Sequence, residues 1–573
     1  MPSPDRARIK TLKDREDARF LAEHPRSAAL LERGRASMPN GVPMAWLFGS
    51  YHHVPPWVAE GRGARFTDVD GHTYSDFNIA DMSMFCGYAP EPLVRAVADR
   101  MARGNQFLLP TEDAIVVSEE LARRYGLPKW QYALSATHAN TEAIRVARVV
   151  TGRDKVLLFD GKYHGHLDAA LVALADDGTL IPEEAGLPAG AVEGTVLVPF
   201  NDVEALARAL ERRDVALVLT EPALTNNHGL ILPDEGFHDA LRRAAHETRT
   251  LLAYDETHTQ VVGAGGLTAA WGLGPDLVTI GKSIAGGIPF GAWGMTDAIA
   301  DVLRQEKGSD GERADLVATG GTLFGNALSM AAARATMLEI LTPEAYAGTQ
   351  RLAARLVGGM RAAVERAGLP WHIHHLGPRS GYTFRPTPVR NAAEARACAD
   401  EMLVRLVRVW LANRGVWEAI VGAGPVCSIP ATDEDVDAYL AAWEELLTAL
   451  VAQSAPPRVR RASAARQHAG RRRGHGPGEP AAPPSARSRR AGDPRPPRPR
   501  PEHAGPGSLR SGRLAAVSDV VAAGARIASR EVPYLVTARI ASASSSSPTT
   551  ASKDEAIVPF ASTRKSHGSL GMP

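Results

Sequence analysis

Residues 251–294, LLAYDETHTQVVGAGGLTAAWGLGPDLVTIGKSIAGGIPFGAWG, hold two short apolar runs, LLAYD (251–255) and LVTIG (277–281), each closed by a polar or glycine-rich turn. Runs of that length with such ends read as buried strands. Two more of the same kind stand upstream, KVLLF (155–159) and ALVLT (216–220). Between the runs, VEALARALERR (203–213) and HDALRRAAHET (238–248) repeat apolar residues at helical spacing. Strands alternating with helices predict an α/β fold, a mostly parallel sheet covered by helices on both faces. Ligands of such sheets sit beyond the carboxyl ends of the strands. By that rule Glu221, Asp255 and Lys282, each at or just past the end of a run, share one rim.

Working outward, residues 1–37 read as helical and amphipathic until MPNGVP (38–43) breaks the pattern. WVAEGRGARFTDVDGHTYSDF (57–77) alternates and turns like a small β-meander, with a tight turn at Asp70-Gly71. PLVRAVADRMARG (92–104) has helical spacing and stops at a glycine. Past residue 330 the pattern changes to helices, a strand-like GYTFRP (381–386) and a last helix, EDVDAYLAAWEELLTALVAQ (434–453). The expected organisation is an N-terminal segment (1–65) packing with the small domain, a large domain (66–330), a smaller α+β domain (331–454) and a tail (455–573). The tail is basic and rich in Pro, Arg and Ser, with too few apolar residues to fold a core, so disorder is expected there.

At 573 residues, with 44% hydrophobic and 23% charged, the chain has the composition of a soluble globular protein with a large core. A net charge of +1 gives no global argument for binding nucleic acid or a membrane surface. The cysteines Cys86, Cys398 and Cys427 have no close spacing, which argues against a disulfide framework or a structural zinc site. The charged N-terminus lacks the apolar segment of a secretory signal, and no run is long enough to span a bilayer, so a cytoplasmic protein is expected.

The rim residues suit amine chemistry on an aldehyde cofactor. A lysine such as Lys282, half-buried and followed by glycines, loses its charge readily and becomes nucleophilic; its plainer reading is a surface lysine. Asp255, at a buried strand end, needs a cation, which a pyridinium nitrogen would be; a helix cap or structural ion pair would serve equally. SATHANTEAIRVAR (135–148) sets Ser135 and Thr137 before a helix, where N–H groups and the helix dipole favour an anion, though it also reads as a plain helix start. GGTLFGNALSMAAARATM (320–337) repeats that arrangement with Thr322, and Tyr163 could stack on a planar cofactor or simply pack.

Taken together, VDGHTYSDF (69–77), AIRVARVVTGRDKVLLFDGKYHGH (143–166), TEPAL (220–224), LLAYDETHT (251–259), LVTIGKSIAGGIPFGAWG (277–294), GGTLFGN (320–326) and ATDEDVDAYLAA (431–442) resemble the class III aminotransferases over about residues 35–450. These are pyridoxal-phosphate (PLP) enzymes of fold type I, and the likeness is greatest to the glutamate-1-semialdehyde 2,1-aminomutase and β-amino-acid transaminase branch. The resemblance implies that Lys282 is the Schiff-base lysine and proton shuttle, and that Asp255 pairs with the pyridine nitrogen. It implies that Tyr163 stacks on the ring with His164 beside it, and that Ser135, Ala136 and Thr137 form the phosphate loop. It further implies that Glu221 lies on the phenolic-oxygen side, that His258 is near the cofactor edge, and that Thr322 reaches the phosphate from a neighbouring subunit. A homodimer with shared sites, a small amino donor and a carbonyl acceptor follow from the same likeness.

Three departures from the family pattern stand out. The loop reads Ser-Ala-Thr-His rather than Ser-Gly-Thr-Glu, so Ala136 adds a Cβ and His138 replaces a glutamate. DETHT replaces the commoner Asp-Glu-Val-x-Thr, which puts Thr257 and His258 near the cofactor edge. GVPMAWLF (41–48) lacks the arginine that close relatives use for a substrate carboxylate; Arg379 is a possible substitute, and Trp46, His52 and His53 would make a more aromatic pocket. General transamination is therefore the first expectation and intramolecular amino transfer the second, with a non-catalytic PLP-binding relative a third. HIHH (372–375) has no carboxylate set near it, so no metal site is expected.

Overall fold

The strands begin with β1 (Val58–Arg62), β2 (Arg65–Asp68) and β3 (Thr73–Asp76), an antiparallel meander. The computed structural model describes residues 5–50, 54–175, 177–225, 228–303, 317–418 and 424–452; His52, His53 and the 455–573 tail lie outside them. Next come β4 (Lys129–Ala133), β5 (Lys155–Phe159), a short hairpin of β6 (Val172–Leu174) and β7 (Leu180–Pro182), and β8 (Thr195–Val198). They are followed by β9 (Val215–Thr220), β10 (Leu251–Asp255), β11 (Leu277–Ile280) and β12 (Gly291–Met295). Toward the C-terminus stand β13 (His372–Leu376), β14 (Arg379–Thr383) and β15 (Val416–Trp417).

Seven of these form one sheet in the order β4-β12-β11-β10-β9-β5-β8. Neighbours from β11 to β8 pair in parallel, and β12 is antiparallel to both β11 and β4. Every residue of β9 and β11 is buried, as expected of strands covered on both faces. Helix Ala136–Thr151 lies across β9 to β12, with Ala139, Ala143 and Ala147 on its buried side allowing close approach. The fold is α/β, as the strand and helix rhythm predicts.

The strand expected at 381–386 is instead β14, two residues earlier, because its register is set by pairing with β13 from His372↔Thr383 to Leu376↔Arg379. That hairpin packs on helices Pro343–Ala367 and Asp433–Val451 around Trp371, Trp410, Tyr439 and Trp443. Ile9 and Leu12 of helix Arg6–Glu23 enter the same core. The meander gains a fourth strand from far along the chain, since β15 pairs with β3. His24, between the first two helices, fastens them to the meander: its Nδ1 is 2.6 Å from Phe20 O and its Nε2 is 2.7 Å from the Tyr74 hydroxyl. With Asp68 and His72 it makes the one compact group of three metal-capable side chains among the described residues, and HIHH makes none.

Candidate active site

Because β9, β10 and β11 are parallel neighbours, the chain leaves them on one edge, at Glu221, Asp255 and Lys282. A cavity of about 300 Å³ opens there. Ser135, Ala136, Thr137, Tyr163, His164, Asp255, His258 and Lys282 line it, together with Ser83 and Thr257. Leu134, Ile288, Pro289 and Phe290 add apolar wall.

Asp255 is the most tightly held group. Its Oδ2 accepts from Asn140 Nδ2 at 2.8 Å and lies 2.9 Å from His164 Nδ1, while Oδ1 accepts from Thr257 N at 3.0 Å. Burial alone would raise its pKa, but the contacts with His164, Thr257 and Asn140 outweigh burial and hold the carboxyl below its ordinary value. Asn140 is itself fixed by Thr279 Oγ1, which donates to its Oδ1 at 2.6 Å. Sequence reasoning missed Asn140, although a buried asparagine on an alanine-rich helix face is a readable signal.

Helix Ala136–Thr151 starts at the cavity wall. Ser135 caps it, accepting from His138 N, and Gly152 (φ 64°) ends it. Ala136 is the first helical residue, so its Cβ causes no backbone conflict. Close packing seats this end: a Cβ on Gly291 would stand 2.3 Å from Ser135 O, and one on Gly165 would stand 2.1 Å from Thr137 Oγ1.

Lys282 Nζ donates to Asp81 Oδ2, a partner that sequence reasoning did not name. Lys282 has φ 46°, and Asp81 belongs to a run of left-handed non-glycine residues, Ile79, Ala80, Asp81 and Met82. Each such residue costs about 1–2 kcal/mol. Burial would raise the Asp81 carboxyl, but Lys282, with Arg379 further off, holds it well below the usual carboxylate range.

Glu221 and Arg379 stand one residue back from the cavity. Glu221 Oε2 accepts from Thr225 Oγ1 at 2.8 Å and is 4.0 Å from His258 Nδ1; burial pushes its pKa up to about 7. Arg379 is buried and donates to Thr225 O at 2.6 Å and His258 O at 3.4 Å. Burial, with Lys282 also opposing, keeps His258 neutral. Thr322 and Trp46 are exposed and do not line the cavity.

The arrangement fits a planar, anionic, protonated ring. It offers an ionised carboxylate, an amine, a helix N-terminus, and buried His164 Nε2, His258 Nδ1 and Thr257 Oγ1 without partners among the described residues.

The family model for class III aminotransferases matches residues 49–431. A glutamate-1-semialdehyde 2,1-aminomutase of Gemmatimonas aurantiaca is 35% identical over 402 residues, covering 69% of this chain and 90% of that protein. A glutamate-1-semialdehyde-aminomutase of Pseudomonas aeruginosa PAO1, solved in complex with PMP, is 39% identical with a TM-score of 0.75, covering 78% of this chain and all of that one (100%). An omega-transaminase of Sphaerobacter thermophilus is 28% identical with a TM-score of 0.67, covering 74% and 97%.

Proposed function

The chain belongs to the class III aminotransferases, and on that premise we propose that it moves an amino group from a small amino donor to a carbonyl acceptor. It is an enzyme of the aminotransferase or aminomutase type, and its cofactor is pyridoxal 5′-phosphate. The observation that carries the proposal is Asp255 and Lys282 at the ends of adjacent parallel strands, facing a helix N-terminus across one cavity.

When bound, the cofactor supplies an aldehyde that takes up amines and an electron-withdrawing ring. Asp255, kept ionised by His164, Asn140 and Thr257, holds the proton on the ring nitrogen. Ser135, Ala136 and Thr137 bind the phosphate through the start of the helix, and Thr322 of the partner copy completes that site. Tyr163 would cover the ring, with His164 Nδ1 held 2.9 Å from Asp255 Oδ2. Neutral His258, with Glu221 4.0 Å behind it, would face the phenolic-oxygen side. Lys282 would hold the cofactor through Nζ and, as a free amine, would take the proton from the amine-bearing carbon and return it nearby. Trp46 and Arg379 are assigned to the substrate side, Arg379 acting through the His258 and Thr225 carbonyls it holds.

A homodimer fits the surface. Leu108 and Leu109 are 73% and 70% exposed, and Phe107 and Leu323 are also exposed. Gln106 Nε2 donates to Thr322 O, which places this apolar group beside Thr322. Three free cysteines suit the reducing cytoplasm, and no described helix is long and apolar enough to cross a membrane.

The identities of 33–39% to proteins named as aminomutases favour intramolecular transfer as the second reading. The test is the visible spectrum of purified protein as α- and β-amino acids are added in turn. Conversion of the lysine-bound band to the pyridoxamine spectrum, with a keto product released, supports transamination. A lysine-bound band that none of these donors converts supports the mutase or the non-catalytic reading. No band after adding PLP to folded protein overturns both.

A further inference from the structure

The turn that carries Asp81 is costly and firmly held. Ile79, Ala80, Asp81 and Met82 have φ of 45°, 48°, 52° and 66°. Met82 N donates to Asn78 O at 3.2 Å, closing a left-handed turn. Asp76 Oδ1 accepts from Asn78 N and Ile79 N, each at 2.8 Å, and the buried side chains of Ile79 and Met82 anchor it. What this turn delivers is the Asp81 carboxylate to Nζ of Lys282, which lines the cavity. Lys282 is left-handed too, so both ends of one ion pair sit in a region that L-residues avoid. Strain held this firmly at a cleft marks a positioned group.

We propose that Asp81 is the standing counter-ion of the reacting nitrogen. The inference rests on the aminotransferase reading above.

The charged and titratable groups that face Asp81 are Lys282, His258 at the end of β10, Arg379 of β14 and Tyr163 after β5. His258 is neutral, and Arg379 is occupied by backbone carbonyls. Lys282 is therefore the cation in contact. When Lys282 is bonded to the cofactor, an adjacent carboxylate favours the protonated form of that nitrogen. When a donor takes the place of Lys282, the donor's nitrogen occupies the same position and meets the same carboxylate.

The test is a pH titration of the visible absorbance of the PLP-loaded full chain, as wild type, Asp81→Asn and Asp81→Gly. Asparagine and glycine both accept the left-handed backbone, so the turn survives. The midpoint is expected to fall by about 1–3 pH units in both variants. An unchanged midpoint in either loaded variant overturns the assignment. A wild type that shows no band fails the enzyme reading itself, which separates the two failures.

Discussion

Asp255 shows how one side chain is tuned by its neighbours. Replacing Asn140 with leucine removes a donor from Asp255 Oδ2 and leaves Thr279 Oγ1 without its acceptor. A loss of about 1–3 kcal/mol in stability is expected from urea unfolding, with a drop in kcat at constant donor. Lys282→Ala is expected to abolish the lysine-bound visible band and lower kcat by at least about 10²–10⁴, with far-UV circular dichroism unchanged. Glu418 offers a pH test remote from the cavity. Buried between the hydroxyls of Tyr382 and Tyr439, it is pushed by burial from 4.5 up to about 7. A raised carboxyl binds its proton longer in the folded state, so its contribution is present below 4.5 and is lost as pH rises through about 7. Glu418→Gln should remove a fall of roughly 3 kcal/mol across that window, read as the difference between variant and wild-type stability at each pH. Glu221, raised to the same value, adds its own slope to both proteins and cancels in that difference.

At the scale of elements, the site depends on where one helix begins. Its N-terminus is pressed against β12, and a Cβ on Gly291 would meet Ser135 O at 2.3 Å and Ser135 C at 2.5 Å, both backbone atoms. Gly291→Ala must therefore move the helix start or the strand. The expected cost is about 1–3 kcal/mol in stability, with weaker PLP uptake by apoprotein, measured by absorbance titration. The elements themselves were well marked: KVLLF, ALVLT, LLAYD and LVTIG all lie where apolar runs and turn residues put them. The hairpin β13–β14 was less legible, because antiparallel register is a property of two strands together. Ala136 illustrates the converse. A local argument, that a helical residue tolerates a Cβ, agrees with its place in the first helical turn.

At the scale of the molecule, distant segments complete one another. Helix Arg6–Glu23 enters the core built by Pro343–Ala367 and Asp433–Val451, and β15 closes the meander onto β3. The proposed homodimer would extend this dependence to a second copy through the exposed Leu108 and Leu109 beside Thr322. Leu109→Glu is expected to shift sedimentation from dimer to monomer and to weaken cofactor retention, since Thr322 would no longer reach a partner's site; an unchanged dimer would exclude this face. By itself the sequence determined the α/β class and the strand ends that carry Asp255 and Lys282, because periodicity and turn chemistry are local properties of the chain. Only the tertiary structure decided what surrounds them. Asp81 and Lys282 are 201 residues apart, and Asn140 and Asp255 are 115 apart. Those gaps are closed by the order of strands in the sheet and by a left-handed turn with no local pattern to announce it, so each partnership exists only once the whole fold has formed.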